Sequence, residues 1–378
     1  MSVRYYKIEY SGALALVALY DIGRREAHAI ITPISSYSPT QDNFASCQIE
    51  QINRAAEDIA VKYSLTPVFK RYFLSDVANQ SELLPEKERC ATSVIQQPPL
   101  DGSKAVLFVI FEQDAHYKDA GDGVWISGRD RIWAGDNNNV SPGDSHTMTL
   151  EYLESLSSTL SRRGGSLKDN CLRTWFFVRD IDNNYAGMVK ARNEVFQLHG
   201  LNRTSHFIAS TGIEGVSAPP GRIVAFNSCC DLSVKPGQIN FLYGKTHLNP
   251  TYEYGVAFER GVAVDYGDRR HIYISGTASI DNEGRIVAPG NIIAQTLRML
   301  ENIEILLREA GSDKGDICHM IVYLRDMADF KIVKDIFHKN YADIPVAIVM
   351  APVCRPGWLV ETECMAIRKL TDSGYEPF

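Results

Sequence analysis

Val322-Tyr-Leu-Arg-Asp326 is an apolar run that stops at an aspartate, and it has two earlier counterparts, Tyr72-Phe-Leu-Ser-Asp76 and Phe176-Phe-Val-Arg-Asp180. Each is preceded by a helix-like stretch and followed by one or two apolar strands. A pattern that returns three times marks an internal repeat, and a repeat decides the architecture before any single motif does. Three apolar runs ending in Asp would mean little alone, because any α+β chain supplies them. The recurring order of their neighbours is what argues for repetition.

In the third copy, Ile292 to Gly311 places apolar residues three to four apart and stops at glycine, which predicts a helix with one buried face. A strand over Cys318 to Arg325 ends at Asp326, a suitable cap for a helix over Phe330 to Tyr341. Strands follow at Pro345 to Val353 and Leu359 to Ile367. The second copy reads as a helix over Thr149 to Leu160, a strand over Leu172 to Val178, a helix over Asp182 to Leu198, and strands over Ser205 to Thr211 and Arg222 to Ser228. The first copy has a helix over Gln48 to Tyr63, a strand over Pro67 to Leu74, a short polar segment, and strands over Ala91 to Gln96 and Ala105 to Phe111. The second interval between markers is the longer one. Ala218-Pro-Pro-Gly221, Lys235-Pro-Gly237 and Asn249-Pro250 put the extra loop or hairpin there. The expected units are residues 1–115, 116–240 and 241–378.

A chain of 378 residues, 45% hydrophobic and 22% charged, suffices for two or three cores at roughly 150 residues per domain. Its net charge of −7 argues against a nucleic-acid partner, since that affinity rests on clustered Lys and Arg. The start, Met1-Ser-Val-Arg-Tyr-Tyr-Lys-Ile-Glu-Tyr10, lacks the apolar core of a secretion signal. No run approaches the ~18 apolar residues of a membrane span, so the reading is a cytoplasmic protein with no membrane partner. The eight cysteines form no CxxC pair and lie mostly in apolar, strand-like contexts. That fits reduced, buried thiols rather than a disulfide framework or a zinc site, and makes the Asn202-Arg-Thr204 sequon fortuitous. HExxH, P-loop and GxGxxG patterns are absent and the nine histidines lack metal-ligand spacing, so no metal, nucleotide or other cofactor is expected.

Ile274-Ser-Gly-Thr-Ala-Ser-Ile-Asp281, the helix ending in Glu309-Ala-Gly311, the strand reaching Asp326 and Val360-Glu-Thr-Glu363 resemble the Rid/YjgF family. The resemblance implies an α+β, chorismate-mutase-like domain over about Gly255 to Leu370. Because that family forms homotrimers with active sites between subunits, three tandem Rid/YjgF-like units imply a pseudo-threefold trimer in one chain. A narrower set covers Leu172 to Leu370: Arg173-Thr-Trp175, Tyr185 with Ala191-Arg-Asn193, Ala209-Ser-Thr-Gly-Ile213, Tyr254-Gly255 with Phe258 and Arg260, Ser275-Gly-Thr-Ala-Ser279, and Cys354-Arg355 with Leu359-Val-Glu361. These resemble the chorismatases, the chorismate-cleaving branch of the superfamily. The chain departs from that branch in a shorter, less proline-rich segment between Tyr254 and Arg260, in reading VETE where the branch reads VEIE, and in its first 140 residues.

By resemblance the substrate is a small carboxylate such as chorismate, which carries two carboxylates and an enolpyruvyl ether. The arginine fork matches carboxylate geometry, and Arg355, Arg260 and Arg173 are the implied clamps. Glu361 is the implied catalytic acid, protonating the vinyl methylene to give an oxocarbenium ion trapped by water or by a ring hydroxyl. A carboxyl that titrates near 4.3 cannot donate at neutral pH. Glu361 must therefore be desolvated, and Arg355 must point at substrate rather than pair with it. The glutamate recurs in neither other copy, where Val109-Ile-Phe-Glu112 and Val224-Ala-Phe-Asn227 stand at the matching places. One active cleft per chain follows.

Without the resemblance, the same residues read more plainly. Glu361 would be a solvent-facing glutamate, and Arg355 and Arg260 members of surface ion pairs. Tyr254 either packs its ring or bonds a ligand, and Cys354 either tunes the cleft or fills space. Thr211 and Ala278 either shape cleft walls or are ordinary strand residues. Two further functions stay open: a Rid-type enamine/imine deaminase, and a non-catalytic small-molecule-binding protein. Whether the chain is a monomer or associates further is open too.

Overall fold

The computed structural model describes all residues except 1, 11, 35–42, 128, 138, 220 and 372. In it each apolar run that ends in aspartate is the fourth strand of a six-stranded unit. The third unit comprises Ile239–Leu242, Gly261–Asp265, Arg269–Ala278, Ile317–Leu324, Val346–Met350 and Val360–Lys369. The sixth strand lies between the third and the fourth, so the order across the sheet is first, second, third, sixth, fourth, fifth. The fourth and fifth strands run parallel and every other pair antiparallel. A parallel pair needs a crossover, which the helix Phe330–Asn340 supplies.

The other two units repeat this order strand for strand. In the first the strands are Val3–Tyr10, Ala13–Tyr20, Glu26–Pro33, Thr66–Leu74, Ala91–Gln96 and Ala105–Glu112. In the second they are Tyr117–Asp119, Val124–Ser127, Arg131–Ala134, Cys171–Val178, Ala209–Glu214 and Val224–Asp231. The fold is thus α+β, with three Rid-like units in one chain. A long helix packs on each sheet: Phe44–Tyr63, Ser145–Ser161 and Ile292–Glu309. In the last, Asn291 caps the start by accepting from the Ala294 amide at 3.0 Å. Met299, Ile303, Leu306 and Leu307 are fully buried beneath it, each contributing roughly 1.5–3 kcal/mol of burial free energy. The first unit keeps only the short turns Val77–Gln80 and Ser81–Leu83 where the second and third have crossover helices, matching its short polar segment.

The units join in a ring, each by the same device. The chain just past the fifth strand of one unit pairs with the fifth strand of another. Val216 and Ser217 of the second unit pair with Gln96 and Ile95 of the first. Pro99 of the first bridges to Val349 of the third, and Val353 of the third bridges to Ile213 of the second. The cycle closes, which is the signature of a pseudo-threefold arrangement.

Some expected boundaries shift. The second unit's fifth strand is Ala209–Glu214 rather than Ser205 to Thr211, because the Ser205 hydroxyl donates to the Gly200 carbonyl and holds that stretch in a loop. Asp326 caps the 3-10 turn Met327–Asp329, accepting from the Ala328 amide, and the helix Phe330–Asn340 follows without a side-chain cap of its own. In the first unit the pairing register sets Ala105-Val-Leu-Phe108, not Val109 to Glu112, at the place of Val360 to Glu363: Val106 pairs with Phe73 as Ala225 pairs with Phe177 and Glu361 with Tyr323. The equivalents of Glu361 are therefore Val106 and Ala225. The described cysteines are unpaired, six of the eight buried. No helix among the described residues is long and apolar enough to cross a membrane.

Candidate active site

Strand geometry sends alternate side chains to one face, so Glu361 and Glu363 both project from the third unit's last strand toward the second unit. Glu363 is enclosed by donors. Arg173 Nη2 and Trp175 Nε1 lie 2.8 Å from its two oxygens, the Thr211 hydroxyl donates at 2.6 Å, and Arg71 of the first unit stands at 3.5 Å. Glu361 is equally buried but forms no ion pair or hydrogen bond with the described residues. Burial, then the Glu363 charge, push its carboxyl up to about 8, against the opposing pull of Arg173 and Arg260.

A bulge makes room for this carboxyl. The pairing of Arg269–Ala278 with Val360–Lys369 slips between Ile274 and Thr277, leaving Gly276 as the extra residue against the acid. A Cβ on Gly276 would lie 2.1 Å from Glu361 Oε1. The Gly276 amide donates to the Thr211 hydroxyl at 2.9 Å, tying the bulge to the second unit.

Glu361 opens into a narrow cleft of about 30 Å³ between the second and third units, with Thr211, Tyr254, Arg260, Ala278, Cys354 and Arg355 in its walls. Arg260 is oriented by Asn249, donating to its carbonyl at 3.0 Å and its side-chain oxygen at 3.1 Å. The guanidinium of Arg355 lies over the rings of Tyr254, 4.7 Å away, and Trp358, 5.1 Å away. No salt bridge among the described residues links it to Glu361. Tyr254 is half-buried under both arginines, so ring packing is one use it has here. The Cys354 thiol, desolvated and beside Glu361, is pushed up to about 12 and is not a nucleophile at neutral pH.

Arg173 stands apart from the other arginines. Its guanidinium sits behind the cleft wall, spent on Glu363, Thr211 and the Thr174 carbonyl. In its place the structure brings Arg192 and Tyr185, from the crossover helix Ile181–Leu198, into the lining. Arg192 is 1% exposed, yet its Nε and Nη2 have no hydrogen-bond partner. The Tyr185 hydroxyl and Cys354 are the groups that act most on its charge. The sequence held a signal for it, an arginine on the buried stripe of Met188, Ala191, Val195 and Phe196. Among the described residues no cluster of His, Cys, Asp and Glu is arranged to hold a metal.

The junction of the first and second units is shut. Gly135 lies against the Thr92 backbone, where a Cβ would come within 2.3 Å of the carbonyl oxygen. Asp136 accepts from the Val94 amide at 2.7 Å, zipping these two units together, whereas the junction of the second and third units opens at Glu361.

Residues 258–368 match the Endoribonuclease L-PSP family. A RutC family protein of Pyrococcus abyssi is 32% identical over 100 residues, 26% of this chain and 79% of that protein. The 2-iminobutanoate/2-iminopropanoate deaminase of Mus musculus is 29% identical over 113 residues, 29% of this chain and 81% of that protein. A chorismatase crystal structure is similar over 92% of this chain and 100% of its own, with a TM-score of 0.67 at 17% identity, a likeness of fold along nearly the whole length. By the sequence of its C-terminal third, the chain belongs to the RutC, or Rid/YjgF, family.

Proposed function

We propose that the protein is a chorismatase-like enzyme that cleaves the enolpyruvyl ether of chorismate without a cofactor, using Glu361 as general acid. One observation carries the reading: a desolvated, unpaired carboxyl that titrates at about 8 faces a cleft lined by three arginines, Arg192, Arg260 and Arg355. A dianionic substrate with an acid-labile vinyl ether fits both features. The arginines take the carboxylates, and Glu361 delivers its proton to the vinyl methylene. The oxocarbenium ion is then quenched by water, releasing pyruvate and a dihydroxycyclohexadiene carboxylate, or by a ring hydroxyl on the way to a hydroxybenzoate. The test is to incubate purified protein with chorismate and follow pyruvate with a coupled dehydrogenase; no release above background overturns it.

Two expectations follow. An acid works only while protonated, so kcat/KM should be flat at low pH and fall tenfold per unit above about 8, the value of free Glu361. A rate that instead rises through that range would assign Glu361 the role of base. Gly276→Ala should displace the carboxyl it touches and lower kcat by about 10²-fold, the scale of a 1 Å misplacement; rates within threefold of the parent would show that the bulge is dispensable.

A second reading, an enamine/imine deaminase, is favoured by the similarity to the mouse deaminase. It requires an arginine for one carboxylate and a water. Faster ammonia release from 2-aminoacrylate, without pyruvate release from chorismate, would support it in place of the first.

A further inference from the structure

We propose that Glu363 is a positioning residue for Glu361: by closing an ion pair with Arg173, it withholds that guanidinium from the acid and leaves Glu361 without a cationic partner. The inference deepens the reading of Glu361 as general acid and rests on it. Two carboxylates two residues apart on one strand face lie about 7 Å from each other, so a cation reaching one is within range of the other. The geometry resolves the competition entirely in favour of Glu363. Its oxygens receive Arg173, Trp175 and Thr211 at 2.6 to 2.8 Å, while Glu361 receives none of them.

The arrangement draws on all three units. Arg71 of the first reaches Glu363 at 3.5 Å and is itself held over the rings of Trp175 and Phe177 at 5.0 and 4.8 Å. Thr211 of the second donates to Glu363 and accepts from Gly276 of the third, so the group that anchors Glu363 also braces the bulge beside Glu361. Glu361 is faced by Glu363 on its own strand, by Tyr323 on the adjoining strand, by Arg260 and Cys354 within its own unit, and by Arg173 and Tyr185 from the second. Arg192 and Arg355 line the same cleft and Arg260 is tied to Asn249; of these cations and Arg173, only Arg173 is neutralised by a carboxylate among the described residues.

The test is a titration of the Glu361 carboxyl by ¹³C NMR, its resonance assigned by its loss in Glu361→Gln, together with the pH dependence of kcat/KM for chorismate. In Glu363→Gln, the Arg173 charge is left unpaired beside the acid, and the midpoint should fall by about one unit or more. In Arg173→Met, the midpoint should rise, with the high-pH limb of kcat/KM moving in parallel. In the double variant, which removes both charges, it should return to within about half a unit of the parent, because the opposed effects cancel. Arg173→Met leaves Glu363 its contacts to Trp175, Thr211 and Arg71, and is the decisive variant should Glu363→Gln not fold. An unmoved midpoint in the single variants, with only kcat reduced, would make the pair a structural ion pair and overturn the proposal. The titration needs no turnover, so midpoints that move in a protein inert to chorismate would retain the pairing and overturn the function instead.

Discussion

Replacing Glu361 by Gln should give a folded protein whose proposed release of pyruvate from chorismate is 10²- to 10⁴-fold slower, the range a positioned acid contributes. Glutamine keeps the shape of the carboxyl and the packing against Gly276, and removes only the transferable proton. Because Glu361 has no ion pair or hydrogen bond to lose among the described residues, the exchange does not orphan a partner. Its effect on stability has a definite sign. The folded carboxyl titrates at about 8 against an ordinary 4.5, so the stability it contributes is fully present below 4.5 and is lost as pH rises toward 8. The amide variant should thus match the parent in thermal unfolding at pH 4.5 and melt higher at pH 9. Activity within tenfold of the parent, or a lower melting temperature at pH 9, would remove Glu361 from the role of desolvated acid.

Arg192→Met should separate function from stability more sharply. A buried guanidinium with two unpartnered nitrogens carries a desolvation cost that no carboxylate in the described protein offsets, and removing such a charge is commonly neutral or stabilising. If a substrate carboxylate is its partner, the same change costs a bidentate contact, roughly a hundredfold in kcat/KM or about 2.7 kcal/mol. The expected outcome is a melting temperature that holds or rises while KM for chorismate climbs. A destabilised variant with unchanged KM would mean that Arg192 serves packing against Phe176 and Phe258, whose rings it overlies.

The repeat and most of its helices and strands were legible because amphipathic periods survive in each copy, and Glu361 was legible because its motif is local. The short strands Tyr117–Asp119, Val124–Ser127 and Arg131–Ala134 have too few residues to display alternation, and their pairing comes from the sheet they join. The register of the first unit's last strand was misplaced because Ala105–Glu112 is buried on both faces, so apolar content cannot fix its phase. Arg173 drew attention as a substrate clamp, but its partner lies 190 residues away. A sequence motif shows which side chains are present and not which of them are already engaged. Arg192 is the converse case, quoted within its motif yet identified as a ligand group only by two buried nitrogens that have no hydrogen-bond partner.

The ring of strand pairings bears on how the cleft is held together. In a homotrimer, a site between subunits exists only while the subunits stay associated, and dilution empties it. Here both walls belong to one polypeptide, so the local concentration of one for the other is set by the connecting chain and not by the solution. The same covalent link frees the junctions from being identical. One can be zipped shut at Gly135 and Asp136 while another stays open at Glu361, a division of labour that exact symmetry forbids.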